Sequence, residues 1–405
     1  MSEVARSNPQ PAAQPGATGG YGRDFWAVFA ANFALNGASN MLVIFPLFVV
    51  RLGGGAAMIG AIAAFGSAMA LLARPAVPLA IGRMGRRSTV FWALAIEGLA
   101  LTLYIPLQAL GLPMFAVRAL HGVCEGTARV ALFAMLFDIL PASRHAEAMT
   151  IFSLNGMMPA AFAPMIGDVI VRRLGFTAFF ITAAALCGCG AIATVTVSDE
   201  LGFRAPTSEA SDGGVSYRRL LLDRALLPVW IATLLFSAAI VSRLNFVAPF
   251  AIQQGVLYVG VYFVIYSAAA IVVRLTCGRV IERVGAERIL ALSLVTLGVG
   301  IGLICATGRP GMLDLAGVVG GLGHGLSYPA LSLLVLRRTP AAAMGRTSTI
   351  YTSLFDVAAM SAPYLLGLIA SRAGYGPMFV IAGLCALGAG LYIGVVERVL
   401  HRRIA

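Results

Sequence analysis

Between residues 114 and 140, an otherwise apolar stretch carries Arg118, His121, Glu125 and Arg129 at intervals of three, four and four. Residues three and four apart share one face of an α-helix, so this spacing lines the four ionisable groups along a single stripe. A stripe that holds both an acid and cations can bind a charged solute and can pass a proton. Glu125 and Arg129 stand one turn apart, where opposite charges partly neutralise each other. Arg118 and Glu125 are seven apart, beyond adjacent-turn pairing. The competing structural reading is an Arg–Glu brace that locks helix packing.

Other polar groups interrupt apolar stretches in the same way. Asn32, Asn36 and Asn40 repeat at four-residue spacing, with Asn36 the most central. Amides donate and accept, which suits a solvated binding wall, and they also hydrogen-bond between helices as packing glue. Asp356, within Leu354-Phe355-Asp356-Val357, is the sole acid of its stretch and a candidate proton carrier. Arg243, with Asn245 nearby, lies close enough to the outer end of its stretch to snorkel. Glu97 suits a support role as well as coupling, and His324 and Tyr328 share a helix face. Asp138 and Asp168 sit near the ends of their stretches and read as interfacial. The six cysteines fall in apolar runs without metal-ligand spacing and read as small packing residues.

What must position these groups is a set of membrane-spanning helices. The 405 residues are 59% hydrophobic and only 11% charged, with mean hydropathy +0.89, against about 25% charged in a soluble domain. The apolar runs reach the ~20 residues that cross a bilayer as a helix and lack the alternation of barrel strands. They fall at 25–50, 57–81, 89–107, 114–140, 148–171, 176–197, 226–250, 258–280, 289–307, 312–336, 346–371 and 377–396. The sequence therefore predicts an all-α membrane protein of 12 transmembrane helices. Residues 1–24 read as a disordered cytoplasmic tail, 25–197 as a six-helix half, and 198–225 as a flexible cytoplasmic linker. Residues 226–396 read as a second six-helix half and 397–405 as a cytoplasmic tail.

The net charge of +12 consists of arginine without any lysine. Most arginines, among them Arg83, Arg86, Arg87, Arg218, Arg219, Arg283 and Arg288, fall on one side of the predicted spans. Only Arg51, Arg172, Arg173, Arg309 and Arg372 fall in the loops of the other side. This bias places both termini in the cytoplasm and makes the charge a signal of orientation rather than of a nucleic-acid partner. The two halves also repeat. Arg74-Pro75 through Arg83-Met84-Gly85 lies 200 residues before Arg274-Leu275 through Arg283-Val284-Gly285, and Pro141, Pro164 and Gly175 match Pro340, Pro363 and Gly374 at nearly the same offset. Repeated halves joined by a linker are a transporter architecture, with the substrate bound between them.

On these residues the chain resembles the major facilitator superfamily over roughly 25–400, which implies two halves related by pseudo-twofold symmetry. The family's Gly-x-x-x-Asp-Arg-x-Gly-Arg-Arg loop is similar to Pro78-Leu79-Ala80-Ile81-Gly82-Arg83-Met84-Gly85-Arg86-Arg87, with Gly82 where the family has its acid. The second copy, Gly278-Arg279-Val280-Ile281-Glu282-Arg283-Val284-Gly285, keeps an acid as Glu282. The resemblance assigns Arg83, Gly85, Arg86, Arg87, Gly278, Glu282, Arg283 and Gly285 to a cytoplasmic gate, with Arg83 pairing outside its own loop. Arg118 followed by Gly122 is similar to a fourth-helix signature. Ala163-Pro164-Met165-Ile166-Gly167, with Gly156 upstream, is similar to the fifth-helix pattern of proton-driven exporters.

The expected function is proton-coupled export of a small organic molecule from a bacterial inner membrane, by a multi-pass monomer driven by the proton gradient and needing no cofactor or metal. The pathway would comprise Asn36, Asn40, Arg118, His121, Glu125, Arg129, Arg243 and Asp356, net positive and so suited to an anionic or zwitterionic amphiphile. Protonation of Glu125 or Asp356 would release Arg118 or Arg129. An uptake symporter for an organic anion or nutrient is the near alternative, and a non-transporting sensor or scaffold a remote one. An enzyme is not expected: His-Glu-x-x-His and Gly-x-Ser-x-Gly motifs are absent. Without lysine there is no phosphate-binding loop of a primary pump.

Overall fold

A computed structural model of the chain describes residues 21–139, 145–198, 216–340 and 343–404, and every regular element among them is helical. Lipid offers no hydrogen bonds, so a spanning backbone must pair its own amides, and helices do this locally. The helices are α1 (Arg23–Met41), α2 (Pro46–Arg51), α3 (Ala56–Ala73), α4 (Val77–Thr102), α5 (Leu112–Ile139), α6 (His145–Val195) and α7 (Tyr217–Leu221). They continue with α8 (Leu227–Gln253), α9 (Gly260–Val284), α10 (Ala286–Leu303), α11 (Met312–Arg338), α12 (Met344–Ala373) and α13 (Tyr375–Ile404). A 3-10 turn, Arg74–Ala76, joins α3 to α4.

Nine helical stretches among the described residues are long and apolar enough to cross a membrane. Two of them, Ala56–Thr102 and Asn155–Val195, are 47 and 41 residues long, more than twice what ~30 Å of hydrocarbon needs. A left-handed glycine breaks each one: Gly85 at φ 79 in α4 and Gly175 at φ 82 in α6. Gly285 at φ 97 and Gly374 at φ 88 turn the chain in the same way between α9 and α10 and between α12 and α13. Glycine enters this region without a Cβ clash, so one residue suffices for the turn. α5 falls short of the apolar measure because Arg118, Glu125, Arg129 and Asp138 interrupt it.

Several boundaries differ from the sequence expectation. The helix expected to run to 107 ends at Thr102, ahead of Pro106. The expected linker includes α7, which buries Leu220 and receives a hydrogen bond on the Leu220 carbonyl from Trp230 Nε1 at 3.2 Å. α13 continues to Ile404, past the expected end at 396. The expected N-terminal tail up to residue 20, Pro141, and residues 199–215 of the linker lie outside the described residues.

Helices α1 to α6 pack among themselves, as do α8 to α13, and the two sets meet chiefly where α3 lies on α12 and α6 on α9. Without a hydrophobic drive between helices in lipid, close van der Waals contact holds them, and glycine permits it. A Cβ on Gly126 of α5 would lie 2.7 Å from the Ala70 carbonyl oxygen of α3. About 200 residues on, one on Gly325 of α11 would lie 2.5 Å from the Ala270 carbonyl of α9. The sets also touch tightly at one end. A Cβ on Gly60 would run into the Pro363 carbonyl, one on Gly260 into the backbone of Met165, and one on Gly367 would lie 2.6 Å from the Ala56 carbonyl.

Asp168 joins the halves at this closed end. Expected near a helix end, Asp168 is fully buried there, accepting from Arg172 Nε at 3.0 Å and from the Gly260 backbone N–H at 3.0 Å. Its partner is a backbone amide on α9, distant in sequence, so position near a helix end could not reveal it.

Candidate functional site

The stripe on α5 faces α1, α3 and α4, and its groups divide into two linked sets. Arg118 donates from Nη1 to His121 Nδ1 at 3.2 Å, and Tyr104 lies 3.3 Å from the same nitrogen. Arginine has no acceptor, so Nδ1 accepts and the imidazole carries its proton on Nε2. That Nε2 lies 3.7 Å from Glu97 Oε1. Glu97 is wholly buried, and neither of its carboxylate oxygens has a hydrogen-bond partner. Burying a carboxylate without a hydrogen-bond partner is costly, and such acids in membrane helices usually face a cavity or a partner. Arg118 also reaches the Ile62 carbonyl from Nε at 3.4 Å and lies over the Phe45 ring at 5.8 Å.

The second set runs from α5 through α1 to α6. Glu125 Oε1 accepts from Arg129 Nη2 at 2.8 Å and from the Ser39 hydroxyl at 3.0 Å. Arg129 Nη1 donates to Asn36 Oδ1 at 3.3 Å. Asn36 Nδ2 donates to the Asn32 carbonyl at 2.9 Å, and Asn32 Nδ2 donates to Asn155 Oδ1 at 3.0 Å. The four-residue spacing of the asparagines thus serves two ends, a cavity wall at Asn36 and interhelical glue at Asn32. Asn40 does neither: its Nδ2 donates to the Asn36 carbonyl of its own helix at 2.8 Å, and it lines neither central cavity.

Asp356 departs from expectation in its partner. The sequence reading paired it with Arg118 or Arg129, but it binds Arg74 across the halves, with Arg74 Nη2 donating to Oδ1 at 2.8 Å and Nη1 donating to Oδ2. Arg243 also departs. It does not snorkel but is buried, with its guanidinium 4.0 Å from the Tyr266 ring centroid and 5.4 Å from that of Phe263. Tyr262, Tyr266 and His324 complete this buried polar patch, with both tyrosine hydroxyls and His324 Nδ1 lacking a hydrogen-bond partner. No carboxylate pairs with Arg118 or Arg243 among the described residues.

Two adjoining cavities collect these groups. One of about 700 Å³ is lined by Asn36, Arg74, Arg118, Glu125, Arg129 and Asp356, among others, and one of about 220 Å³ by Ser39, Arg118, His121, Glu125 and Asn245. Ser67, Arg118 and Glu125 border both. The structure therefore brings together Asn36, Arg118, His121, Glu125, Arg129 and Asp356, and sets Asn40 and Arg243 apart. A groove of about 850 Å³ between α10 and α13 is lined by none of them.

The predicted gate loops divide similarly. Gly85 and Gly285 make the turns, and Arg83 and Arg283 are exposed. Arg86 forms an ion pair with Asp138 of α5 and donates to the Ala134 carbonyl at 2.8 Å. The resemblance expected Arg83 to pair outside its loop; the loop arginine seen to pair with an acid of α5 is Arg86. In the other half the signs are exchanged, with Glu287 of α10 against Arg338 of α11 at 3.6 Å. Gly278 and Glu282 fall in α9, and the Glu282 side chain lies outside the described residues. On α6, Gly156 lines the larger cavity, Pro164 is buried inside the helix, and a Cβ on Gly167 would lie 2.9 Å from Met41 Cγ.

Sequence reasoning did not include Arg74, Tyr104 or Asn155 in the site. Arg74 carried a usable signal, since an arginine inside an apolar run is expensive and this one recurs in the repeat. Tyr104 and Asn155 carried none, because their partners lie in other helices.

A helical membrane fold with ionisable side chains around a cavity between two helix sets defines a transport protein. The chain belongs to the Major Facilitator Superfamily, whose sequence profile matches residues 27–273 and 252–404. An uncharacterized MFS-type transporter of Salmonella typhimurium is 27% identical over 128 residues, which is 32% of this chain and 33% of that protein. The chain thus matches about a third of that relative's length. The nucleoside transporter NupG superposes with a TM-score of 0.78 at 13% identity, covering 92% of this chain and 98% of that one. A POT family transporter in complex with 5-aminolevulinic acid superposes with a TM-score of 0.75 at 14% identity, covering 93% and 95%. The solved structures share the fold of this chain, and the profile match gives its family.

Proposed function

We propose that this chain is a proton-coupled exporter of a small organic acid or zwitterion, working by alternating access as a monomer in the bacterial inner membrane. Its twelve crossings form two six-helix halves related by pseudo-twofold symmetry, counting the stretch Ala56–Thr102 (α3 with α4) and α6 as two crossings each and α5 as one. Both termini face the cytoplasm, as the arginine bias implies. The end closed by Gly60, Gly367 and Gly260 is then the outer end, and this conformer faces inward.

The observation that carries this reading is the Arg74–Asp356 bridge at the wall of the larger cavity. It ties α3 to α12, so any conformer that separates those helices at this level must break it. A proton on Asp356 removes the charge that Arg74 binds, which couples proton occupancy to the geometry of the halves. Glu125 stands beside the unpaired Arg118 and is held by Arg129, which makes it the second candidate proton carrier. The surplus of cations favours an anionic group on the substrate. Export rather than uptake rests on the fifth-helix resemblance at Ala163-Pro164-Met165-Ile166-Gly167.

Everted membrane vesicles test the direction. With the vesicle interior acidified, an exported organic acid accumulates inside, and a protonophore abolishes the accumulation. Accumulation only when the external medium is the acidic side would contradict antiport and establish symport.

A further inference from the structure

The repeat between the halves is broken at one contact. Arg74, after α3, crosses to α12 and finds the carboxylate of Asp356. About 200 residues on, Arg274 of α9 holds the matching place and crosses to α6. There it meets the Sδ of Met157 at 3.2 Å from Nη1, while Nε donates to the Gly325 carbonyl at 3.3 Å. A thioether is a weak, uncharged acceptor. Among the described residues no carboxylate pairs with Arg274. A half-buried guanidinium in a membrane-spanning helix is expensive without a partner, and its usual justification is an ion or substrate.

The surroundings indicate what that partner is. Gly156, next to Met157, lines the same cavity as Arg74 and Asp356. Tyr328, three residues beyond the carbonyl that Arg274 binds, packs against Phe355 at 5.9 Å, and Phe355 packs against Tyr351 at 5.2 Å. Tyr328 thus lies one helical turn from the carbonyl that Arg274 binds, with the rings of Phe355 and Tyr351 beyond it.

We propose that Arg274 is the residue that anchors the substrate, binding the carboxylate of a small organic acid with an aromatic body. The transported molecule supplies at the α6–α9 contact the charge that Asp356 supplies at the α3–α12 contact. A guanidinium fork grips a carboxylate through two parallel charge-assisted hydrogen bonds, which gives orientation as well as affinity. This rests on the anionic-substrate reading of the cavity.

The test is the thermal unfolding of the purified full-length chain with benzoate, salicylate or phenylacetate, each set against its neutral amide. The acids raise the melting temperature of the unmodified protein and the amides do not, because only bound ligand shifts the equilibrium. Arg274→Gln weakens the apparent affinity by roughly 10- to 100-fold, the loss expected for a charge-assisted contact. Met157→Asp places an internal carboxylate against Arg274; it raises the melting temperature without ligand and removes the response to the acids. That rise shows the variant is folded. Stabilisation by none of the three acids overturns the proposal, and so does equal stabilisation of the Arg274→Gln variant. No gradient is present, so a chain that binds through Arg274 but moves no proton keeps this inference and refutes coupled transport. Coupled flux that is indifferent to Arg274→Gln refutes this inference alone.

Discussion

Replacing Asp356 by Asn leaves the shape of the α3–α12 contact and removes the charge that Arg74 binds from two nitrogens. The side chains of Arg74 and Asp356 are 38% and 20% exposed, so the pair is neither a surface bridge nor a sealed one. Exposed pairs contribute about 0.2–1 kcal/mol, whereas removing one partner of a fully buried pair costs about 3–5 kcal/mol. An intermediate of about 1–3 kcal/mol applies here, because part of the field is screened by the water-accessible cavity. The bridge forms only where α3 and α12 approach at this level, so its loss acts on one conformer and not the other. The ratio of inward-facing to outward-facing chains then falls by roughly 5- to 150-fold. Spin labels at Arg83 and Arg288, on the open ends of the two halves, report this ratio as a distance distribution. Asp356→Asn shortens the dominant distance, and the charge exchange Arg74→Asp with Asp356→Arg restores it. An unchanged distribution in Asp356→Asn would refute the assignment of the bridge as a conformational latch.

Three further outcomes follow from the same geometry. Glu125→Gln keeps the contact with Ser39 and removes the charge facing Arg129, so gradient-driven flux falls while the protein level in the membrane is unchanged. Arg118→Ala abolishes transport, and Arg118→Lys, which keeps the charge without the planar fork, recovers only part of it; full activity of the alanine variant would return Arg118 to a packing role. Gly60→Ala sets a Cβ against the Pro363 backbone and disfavours the closed end by about 1–3 kcal/mol, seen as increased labelling of cysteines placed near it. Gly82→Ala meets nothing within 4 Å and leaves labelling unchanged.

The sequence made the helices legible because the apolar run length fixes them locally. The turn at Gly85 and Gly285 could be read too, and Gly175 and Gly374 recur at nearly the same offset; all four adopt positive φ. The face shared by Arg118, His121, Glu125 and Arg129 followed from helical periodicity alone. What periodicity cannot give is which faces meet. Asp356 and Arg74 are 282 positions apart, and their pairing depends on how two halves dock. Asp168 could be placed near a helix end, but not against its partner, a backbone amide on another helix. Arg243 looked free to snorkel until the rings of Tyr266 and Phe263 closed over it. Asn40 matched the spacing of Asn36, yet its side chain folds back on its own helix. Glu97, which sequence left between a support role and coupling, is wholly buried with its Oε1 3.7 Å from His121 Nε2.

The central claim is that this chain couples the movement of a small organic acid to protons through its charged cavity. Liposomes holding the purified protein and an internal pH dye, challenged with a panel of organic acids, test it most directly. At least one acid is expected to produce a saturable dye response that Glu125→Gln or Asp356→Asn removes. A response to none of the acids, or one that survives in both variants, would contradict it.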